Sequence, residues 1–540
     1  MRIESKRLDL HNKFILDYKA EVKSLLDHFD YNPYQENVFE QRMQELKERK
    51  YQREELANTL LLLNKRWNGD EATYANIERL KDPNSVVVIG GQQAGILTGP
   101  LYTINKIISI IALAKEQEKA LGVPVLPVFW IAGEDHDFPE VNHLYLPEDT
   151  ELKKYRIDDE YGEKTSVSHR ELNKEQALKW LQSTFRSLKE TAVTKSLFEK
   201  LQSMLEQAEN YVDFFASFIH DIFRDTGLIL VDSGNRAVRQ LESPYFAEII
   251  RKQPEISEKV YHSLQSMRTK GYHVSVDASQ SDAHLFVEVD GERILLQKDG
   301  DNWVGKNEEC SFSSDELLNI AEQAPERLSN NVVTRPLMQE KLFPTLAFFA
   351  GPSEAAYWSI LKGAFQSVSV KMPPVLPRIS LTLVEDRVKK LLTKYSIAID
   401  SALHHGVQTE KQNWLSAQME RPIEELANQW KDSIIKGHQP LKLITEDLTT
   451  DVTQYADKNL QLILQHVDQL TNRLTKEHAN KYQMQLTEFD YIQMHLKPGG
   501  GLQERIWNIV YFLNVYGYNW VNYINKYEFD WKEQHYLVYL

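Results

Sequence analysis

Cysteine is nearly missing from this 540-residue chain, in which Cys310 stands alone. That excludes an internal disulfide, a cysteine-rich zinc site and any iron-sulfur cluster held by several cysteines, and it fits a reducing compartment. Cys310 lies in NEECSFSS, without a flanking motif or base that would mark a nucleophile. Long apolar runs are missing as well. The longest nearly apolar stretch, Ile107 to Ala114, is far shorter than the roughly 20 residues that a membrane span needs. The opening residues MRIESKRLDLHNKF carry no apolar signal core, so the expectation is a cytoplasmic protein with no membrane attachment. Positive charge is in deficit: 63 Lys and Arg against 78 Asp and Glu leave a net charge of −15, which disfavours nucleic acid as the main partner. There is no short internal repeat and no low-complexity tract. Neither the dinucleotide pattern GxGxxG nor the P-loop pattern GxxxxGK[ST] occurs where a strand meets a helix, which argues against redox-cofactor binding and ordinary P-loop chemistry.

What the chain does have is length enough for more than one structural unit. Short apolar runs at Ser85 to Ile89, Val125 to Ala132, Leu228 to Asp232, Leu346 to Ala350 and Val375 to Arg378 each end in polar or glycine residues. Amphipathic patterns at Leu101 to Lys119, Asn235 to Lys252 and Ser353 to Gln366 lie between them. This alternation predicts an α/β, Rossmann-like parallel-sheet core over 85–381, with helices on both faces. Two insertions interrupt it, at about 149–226 with charged helices and at about 254–329 with a hairpin signal at Asp290-Gly291 in HLFVEVDGERILLQ. Residues 1–84 read as an N-terminal helical segment, and 489–540 as a C-terminal helical segment packing on the core.

A different regime occupies 382–488. Val384, Val388, Leu391, Tyr395, Ala398 and Ala402 follow a 4,3,4,3,4 spacing, and Leu460, Ile463, Val467, Leu470 and Leu474 alternate in the same way. Two helices with narrow apolar seams predict a protruding antiparallel coiled coil that meets a partner subunit. Gly406, Pro422, Gly437 and Pro440 between them predict turns or shorter helices. Such a hairpin returns near its origin, which predicts that PGGGLQER lies near Glu385 and Arg387 and that a pocket forms there.

Chemistry-bearing residues cluster at strand ends. In GGQQAGILTGPLYT, Gly90 and Gly91 permit close backbone approach, and amides at the following helix start, with Thr98 and Lys106, suit an anion; a plain strand-to-helix turn is the alternative. GEDHD places Glu134, Asp135, His136 and Asp137 after the second strand, as carboxylates for an ammonium and an imidazole for a proton. His143 adds a further metal-ligand type, but no second histidine-rich cluster accompanies it, and no tightly bound metal is expected. In FAGPSEAAYW, Ser353 reads as a helix N-cap, with Glu354 and Tyr357 as ligand contacts. VDSGNR offers Asp232, Ser233, Asn235 and Arg236, the last suited to a carboxylate or to a capped helix start. Arg378 suits a carboxylate, a phosphate or a pair with the acidic GEDHD loop. PGGGLQER offers Gly500, Gln503 and Arg505 to a phosphate, with a flexible turn as the alternative.

Taken together, GGQQAGILTGPLYTINKI, PVFWIAGEDHDFPEVNH, FAGPSEAAYW, PPVLPRISLTLVE and LQERIWN, in this order over nearly the whole chain, resemble the bacillithiol biosynthesis cysteine-adding enzyme family of low-G+C Gram-positive and related bacteria. The resemblance implies the last step of bacillithiol synthesis, in which L-cysteine is joined through its carboxyl to the amine of glucosaminyl malate. It also implies a nucleotidyltransferase-like core with connecting-peptide insertions and a coiled coil that supports a homodimer. Amide formation from a free carboxylate needs activation, so ATP with Mg2+ is the expected cosubstrate. No HIGH or KMSKS signature is present, and GGQQAGILTG stands where the first would be sought. On this reading Gln92, Gln93, Thr98 and Tyr102 hold the sugar or a phosphate, and Arg236 and Arg378 the malate carboxylates. Glu134, Asp135 and Asp137 hold an ammonium, and His136 takes the amine proton. Ser233, Ser353, Glu354 and Tyr357 add substrate contacts, and Gly90, Gly91, Glu385, Gly500 and Arg505 are nucleotide contacts. The competing readings are a metal-dependent hydrolase of a sugar amide and a noncatalytic coiled-coil scaffold.

Overall fold

The computed structural model describes residues 1–8, 12–158, 164–419 and 422–540. The chain divides into two compact units, 1–148 with 152–384 and 501–540, and 149–151 with 385–500. Among the described residues, no helix is long and apolar enough to cross a membrane.

The first unit is built on a five-stranded sheet in the order Ile229–Asp232, Val125–Ile131, Val86–Gln92, Thr345–Ala350, Val375–Pro377. All its pairings are parallel. Numbered along the chain, this order is 3-2-1-4-5. Successive connections first lead away from the founding strand on one side and then resume on its other side, which opens a crevice between the first and fourth strands at their C-terminal ends. The strands are buried on both faces, which is why they read as unbroken apolar runs rather than alternating ones. Helix Tyr102–Leu121 follows the first strand and Arg236–Thr269 the third. The latter continues through Pro244 and Pro254. The pattern predicted as one helix from Ser353 to Gln366 forms two, Pro352–Trp358 and Lys362–Ser367.

A second, antiparallel sheet runs Ser311–Ser313, Asn302–Gly305, Glu292–Asp299, Asp282–Val289, Leu328–Asn330. Its hairpin turns at Asp290 and Gly291, with φ of 51° and 81°, the positive pair that a two-residue turn requires. A third sheet places His535–Tyr539 between Arg2–Lys6 and Leu381–Val384. The end segments that read as helical therefore also supply strands. Their pairing partners lie at the opposite end of the sequence, beyond the reach of local pattern.

In the second unit the long hairpin is formed by Ile423–Glu446 and Thr450–Lys481. This corrects the reading that paired the 384–402 seam with 460–474. Val384 ends a strand, and the stretch after it splits into Asp386–Lys394 and Ile399–His405, separated by Ser396 at φ 55°. Helix Asp386–Lys394 packs instead on Gln483–Leu496. The segment read as turns or shorter helices holds the helix Gln408–Ala417 and a 24-residue helix that carries both Gly437 and Pro440.

Two glycines behave oppositely under substitution. A Cβ on Gly91 would sit 2.8 Å from the Trp130 carbonyl oxygen, whereas one on Gly437 would meet nothing within 4 Å. Gly91→Ala is expected to destabilise by about 1–3 kcal/mol through overpacking. Gly437→Ala should stabilise its helix by roughly 0.5–1 kcal/mol. Urea unfolding of the two variants measures both.

Candidate active site

Lys106 lies one turn into the helix that follows the first strand, and it is almost fully buried. Its ammonium donates to the Gly91 carbonyl at 2.5 Å and to Gln92 Oε1 at 3.2 Å, and it ion-pairs with Glu354. Burial lowers its pKa, and the Glu354 carboxylate opposes that shift. Glu354 also accepts from the Gly351 N–H at 2.6 Å, so one carboxylate neutralises the lysine and caps helix Pro352–Trp358. The residue flanking that helix is Gly351, and Ser353 lies inside its first turn, exposed. The expected Ser353 cap is thereby corrected.

The turn between strand and helix is held in an unusual backbone conformation. Leu97, Thr98 and Gly99 have φ of 47°, 75° and 66°, a region costly for a leucine and more so for a β-branched threonine. The Asn508 side chain clamps it by donating to Leu97 O at 2.9 Å and Gly99 O at 2.8 Å. Leu101 N–H donates to Trp507 O at 2.8 Å, so one helix-start amide expected for an anion is spent within the protein. The Thr98 hydroxyl is buried and has no hydrogen-bond partner among the described residues. Gly90 and Gly91 are close-packing positions, because Phe349 O and Trp130 O occupy the space of their missing Cβ atoms. Their expected cradle for phosphate is filled by neighbouring strands.

After the second strand the acidic loop meets three arginines that the sequence reading did not single out. Glu134 is buried; its Oε1 accepts from Arg335 Nε at 2.8 Å, Arg239 Nη2 lies 3.8 Å from its Oε2, and Oε2 accepts no hydrogen bond. Arg293 donates to Ser329 Oγ, to Asn330 O and, at 3.1 Å, to His136 Nδ1. A guanidinium can only donate, so Nδ1 carries the ring's lone pair and His136 is neutral, with its proton on Nε2. Burial, then the Arg293 charge, lowers the His136 pKa, against the opposing pull of Asp135 and Asp137. Asp135 accepts from the His136 N–H at 2.8 Å and from Gln93 Nε2 at 2.9 Å. Burial works to raise its pKa, and Arg335 and Arg293 overcome that and hold it low. Asp137 is exposed. Glu134 and Asp135 are thus met by cations, and among the described residues no three acidic, histidine or cysteine side chains converge as metal ligands.

Behind this layer, Asp232 accepts from Ser168 Oγ at 3.0 Å and from the Gly234 N–H at 2.9 Å, and burial pushes its pKa up to about 6. Glu242, paired with Arg239 at 2.7 Å, is pushed up to about 7 by burial, with Arg239 opposing. The Ser233 hydroxyl donates to Ile131 O at 3.0 Å, which gives it a backbone role. Tyr357 lies between Glu354 and Arg335; burial raises its pKa, with Glu354 adding and Arg335 opposing.

Two predicted carboxylate binders are not brought to this cluster. Arg236 is exposed and pairs with Glu326 at 3.1 Å. Arg378 is buried in a two-pronged pair with Glu504, each contact at 2.9 Å, and not with the GEDHD loop. Gln503 spends its side chain on both backbone groups of Leu383. Arg505 is exposed and near enough to Tyr102 to oppose, together with Arg378, the burial that raises that hydroxyl's pKa. Glu385 and Gly500 belong to the second unit and Arg505 to the first. In the second unit Glu385 accepts from Tyr491 OH at 2.6 Å. A periodicity signal for Arg239 existed: Arg239, Glu242, Phe246, Ile249 and Gln253 recur at helical spacing on the buried face, while Arg236 falls outside it. No comparable local signal marked Arg293 or Arg335.

Residues 1–379 match the family model described as bacillithiol biosynthesis BshC, N-terminal Rossmann-like domain, and residues 381–540 match bacillithiol biosynthesis BshC, C-terminal coiled-coil domain. A protein of Oceanobacillus iheyensis is 40% identical over 536 residues, covering 98% of each chain. Proteins of Bacillus anthracis and Bacillus thuringiensis are each 40% identical over 524 residues, covering 97% of each chain. All three bear the name "Putative cysteine ligase BshC".

The two misplaced arginines separate a buried pair from a surface one. Arg378→Met strands Glu504 as an uncompensated buried charge and is expected to cost about 3–5 kcal/mol. Arg236→Ala is expected to stay within about 0.5 kcal/mol of the parent. Equilibrium denaturation of both variants checks the contrast.

Proposed function

The chain belongs to the bacillithiol biosynthesis BshC family, and on that premise we propose that it is a carbon–nitrogen ligase that joins the carboxyl of L-cysteine to the amine of glucosaminyl malate in the switch-point crevice. The observation that carries the proposal is Glu134: a buried carboxylate with one oxygen lacking a hydrogen-bond donor, beside Arg335. An amino acid presents an ammonium and a carboxylate together, and a carboxylate oxygen without a donor beside a cation answers both once the Glu134 side chain turns toward the crevice. The wider crevice alternates in sign in the same way, with Lys106, Arg239, Arg293 and Arg335 against Glu134, Asp135 and Glu354.

In this proposal Arg335 anchors the cysteine carboxylate, a role separate from the malate binding first given to Arg236 and Arg378, with Gln92, Gln93 and Tyr357 as neutral contacts around it. A carboxylate in water is a poor electrophile, so ATP, as its magnesium complex, is proposed to convert it to an adenylate, with pyrophosphate leaving the α-phosphorus, or to an acyl phosphate, with ADP leaving the γ-phosphorus. Attack by the amine then forms the amide, expels AMP or phosphate and releases one proton. Arg505, exposed beside Tyr102, is the cation assigned to the nucleotide phosphates. Glu385 and Gly500 rest on family resemblance alone. His136 is proposed to take the amine proton at Nδ1, which requires Arg293 to release that nitrogen, and an incoming substrate carboxylate supplies the competing acceptor.

The proposed homodimer rests on the second unit. The hairpin buries Val467 but leaves Trp430, Leu462, Leu470 and Leu474 about half exposed, a seam that two helices alone do not close.

Purified protein with glucosaminyl malate, L-cysteine, ATP and magnesium is expected to yield the thiol amide by mass spectrometry, with AMP or ADP identifying the activated species. Bound substrates without product would defeat the proposal that this chain suffices. His136 works as a base only when unprotonated, and its pKa is lowered. The acid limb of kcat/KM should therefore lie below about pH 6.5, the ordinary histidine value. His136→Gln should erase that limb and lower kcat by about 10²–10⁴-fold; a wild-type rate would remove the residue from the mechanism. In sedimentation velocity the wild type should run as a dimer and Leu470→Glu/Leu474→Glu as a monomer, and two monomers would leave the seam without a self-partner.

A further inference from the structure

A cleft of about 890 Å³ opens in the first unit at the opposite ends of the core strands from the crevice. Val125, which begins the second strand, and Gly227, just before the third, line its inner end. The seven residues of the second strand, rising about 3.3 Å each, put roughly 20 Å between this cleft and the GEDHD loop. Its size is that of small-molecule sites, about 300–1,000 Å³.

Two kinds of polar group line the cleft. One kind is bound up internally. Arg79 pairs with Glu118 at 2.7 Å, and Lys200 contacts Asp221 at 2.9 Å while Tyr518 OH donates to the same carboxylate at 2.7 Å. The other kind is unspent. Lys115, Arg224 and Lys526 make no ion pair among the described residues. The Asn525 amide is buried at both its oxygen and its nitrogen, and neither has a hydrogen-bond partner. Counted together, the lining carries five basic residues, Arg79, Lys115, Lys200, Arg224 and Lys526, against the acids Glu118, Asp221 and Asp225. That excess of positive charge occurs in a chain whose net charge is −15. The apolar part of the lining is Ala72, Ala75, Ile111, Ala114 and Ile222, three of them alanines.

We propose that this cleft is a second ligand site, separate from the crevice, for a small organic phosphate with a flat apolar body. The unpaired cations take the phosphate, and the alanine-rich part of the lining takes the flat body. Asn525, buried at both amide atoms, reaches the ligand only when its side chain turns toward the cleft. The inference does not depend on the ligase reading. The second strand and helix Tyr102–Leu121 each contribute to both places: the helix gives Lys106 to the crevice and Lys115 to the cleft.

The probe is 1-naphthyl phosphate, titrated calorimetrically into the full-length protein. Saturable binding near one equivalent is expected. Arg224→Glu/Lys526→Glu, which alters only exposed side chains, should weaken it at least tenfold, and Ala75→Trp, at an exposed alanine of the lining, should abolish it. Arg335→Ala, in the crevice, should leave it within twofold. Thermal melts establish that each variant is folded. Four results would overturn the proposal: no saturable binding, an unchanged affinity in the charge-reversal variant, a loss in Arg335→Ala, or equal affinity for inorganic phosphate, which would mean ion binding without recognition of the apolar body.

Discussion

Burying an ammonium costs several kcal/mol unless paired charge and hydrogen bonds replace the water it gives up. Lys106 meets that demand with three acceptors, and each comes from a place that must hold still: the Gly91 carbonyl at the end of the founding strand, the Gln92 side chain beside it, and Glu354 at the start of a helix that follows the fourth strand. The two strands on either side of the switch point are therefore tied through one side chain. Glu354 is in turn held by the Gly351 N–H. A crevice opened by topology is in this way given a fixed floor, and the arginine and acidic layers rest above it.

That topology was legible because both faces of the core strands are buried, which leaves uninterrupted apolar runs with polar ends. The Asp290-Gly291 hairpin was legible for a local reason, since its turn needs two residues that accept positive φ. The hairpin of the second unit was misread because heptad spacing does not specify where a helix stops. Ser396 breaks one candidate seam, while Gly437 and Pro440 fail to break the helix that replaces it.

The site was legible only as a set of loops. Sequence pattern located the strand ends that deliver Gln92, Glu134 and Glu354, but not which charges would be spent inside the protein. Arg378 looked free for a substrate because its partner Glu504 lies 126 residues away. Arg293 and Arg335 went unnoticed because a hairpin strand and a short helix, each remote in sequence, carry them to the acidic loop. Gly90 and Gly91 looked like a phosphate cradle, whereas glycine is needed there because adjacent backbones leave no room for a methyl group.

The sheet that joins Arg2–Lys6 to His535–Tyr539 bears on how the chain comes into being. During synthesis the first of these strands emerges more than five hundred residues before the second. At about 5–20 residues per second it waits on the order of half a minute to two minutes with an unpaired edge. Its middle strand is the last to arrive, and Leu381–Val384 needs that strand as well. The five-stranded core can close as soon as Val375–Pro377 has been made, but the sheet that joins Arg2–Lys6 to His535–Tyr539 cannot. Vectorial synthesis thus leaves this protein with a late, nonlocal closing step, a window in which a chaperone or a neighbouring nascent chain competes for the open strand.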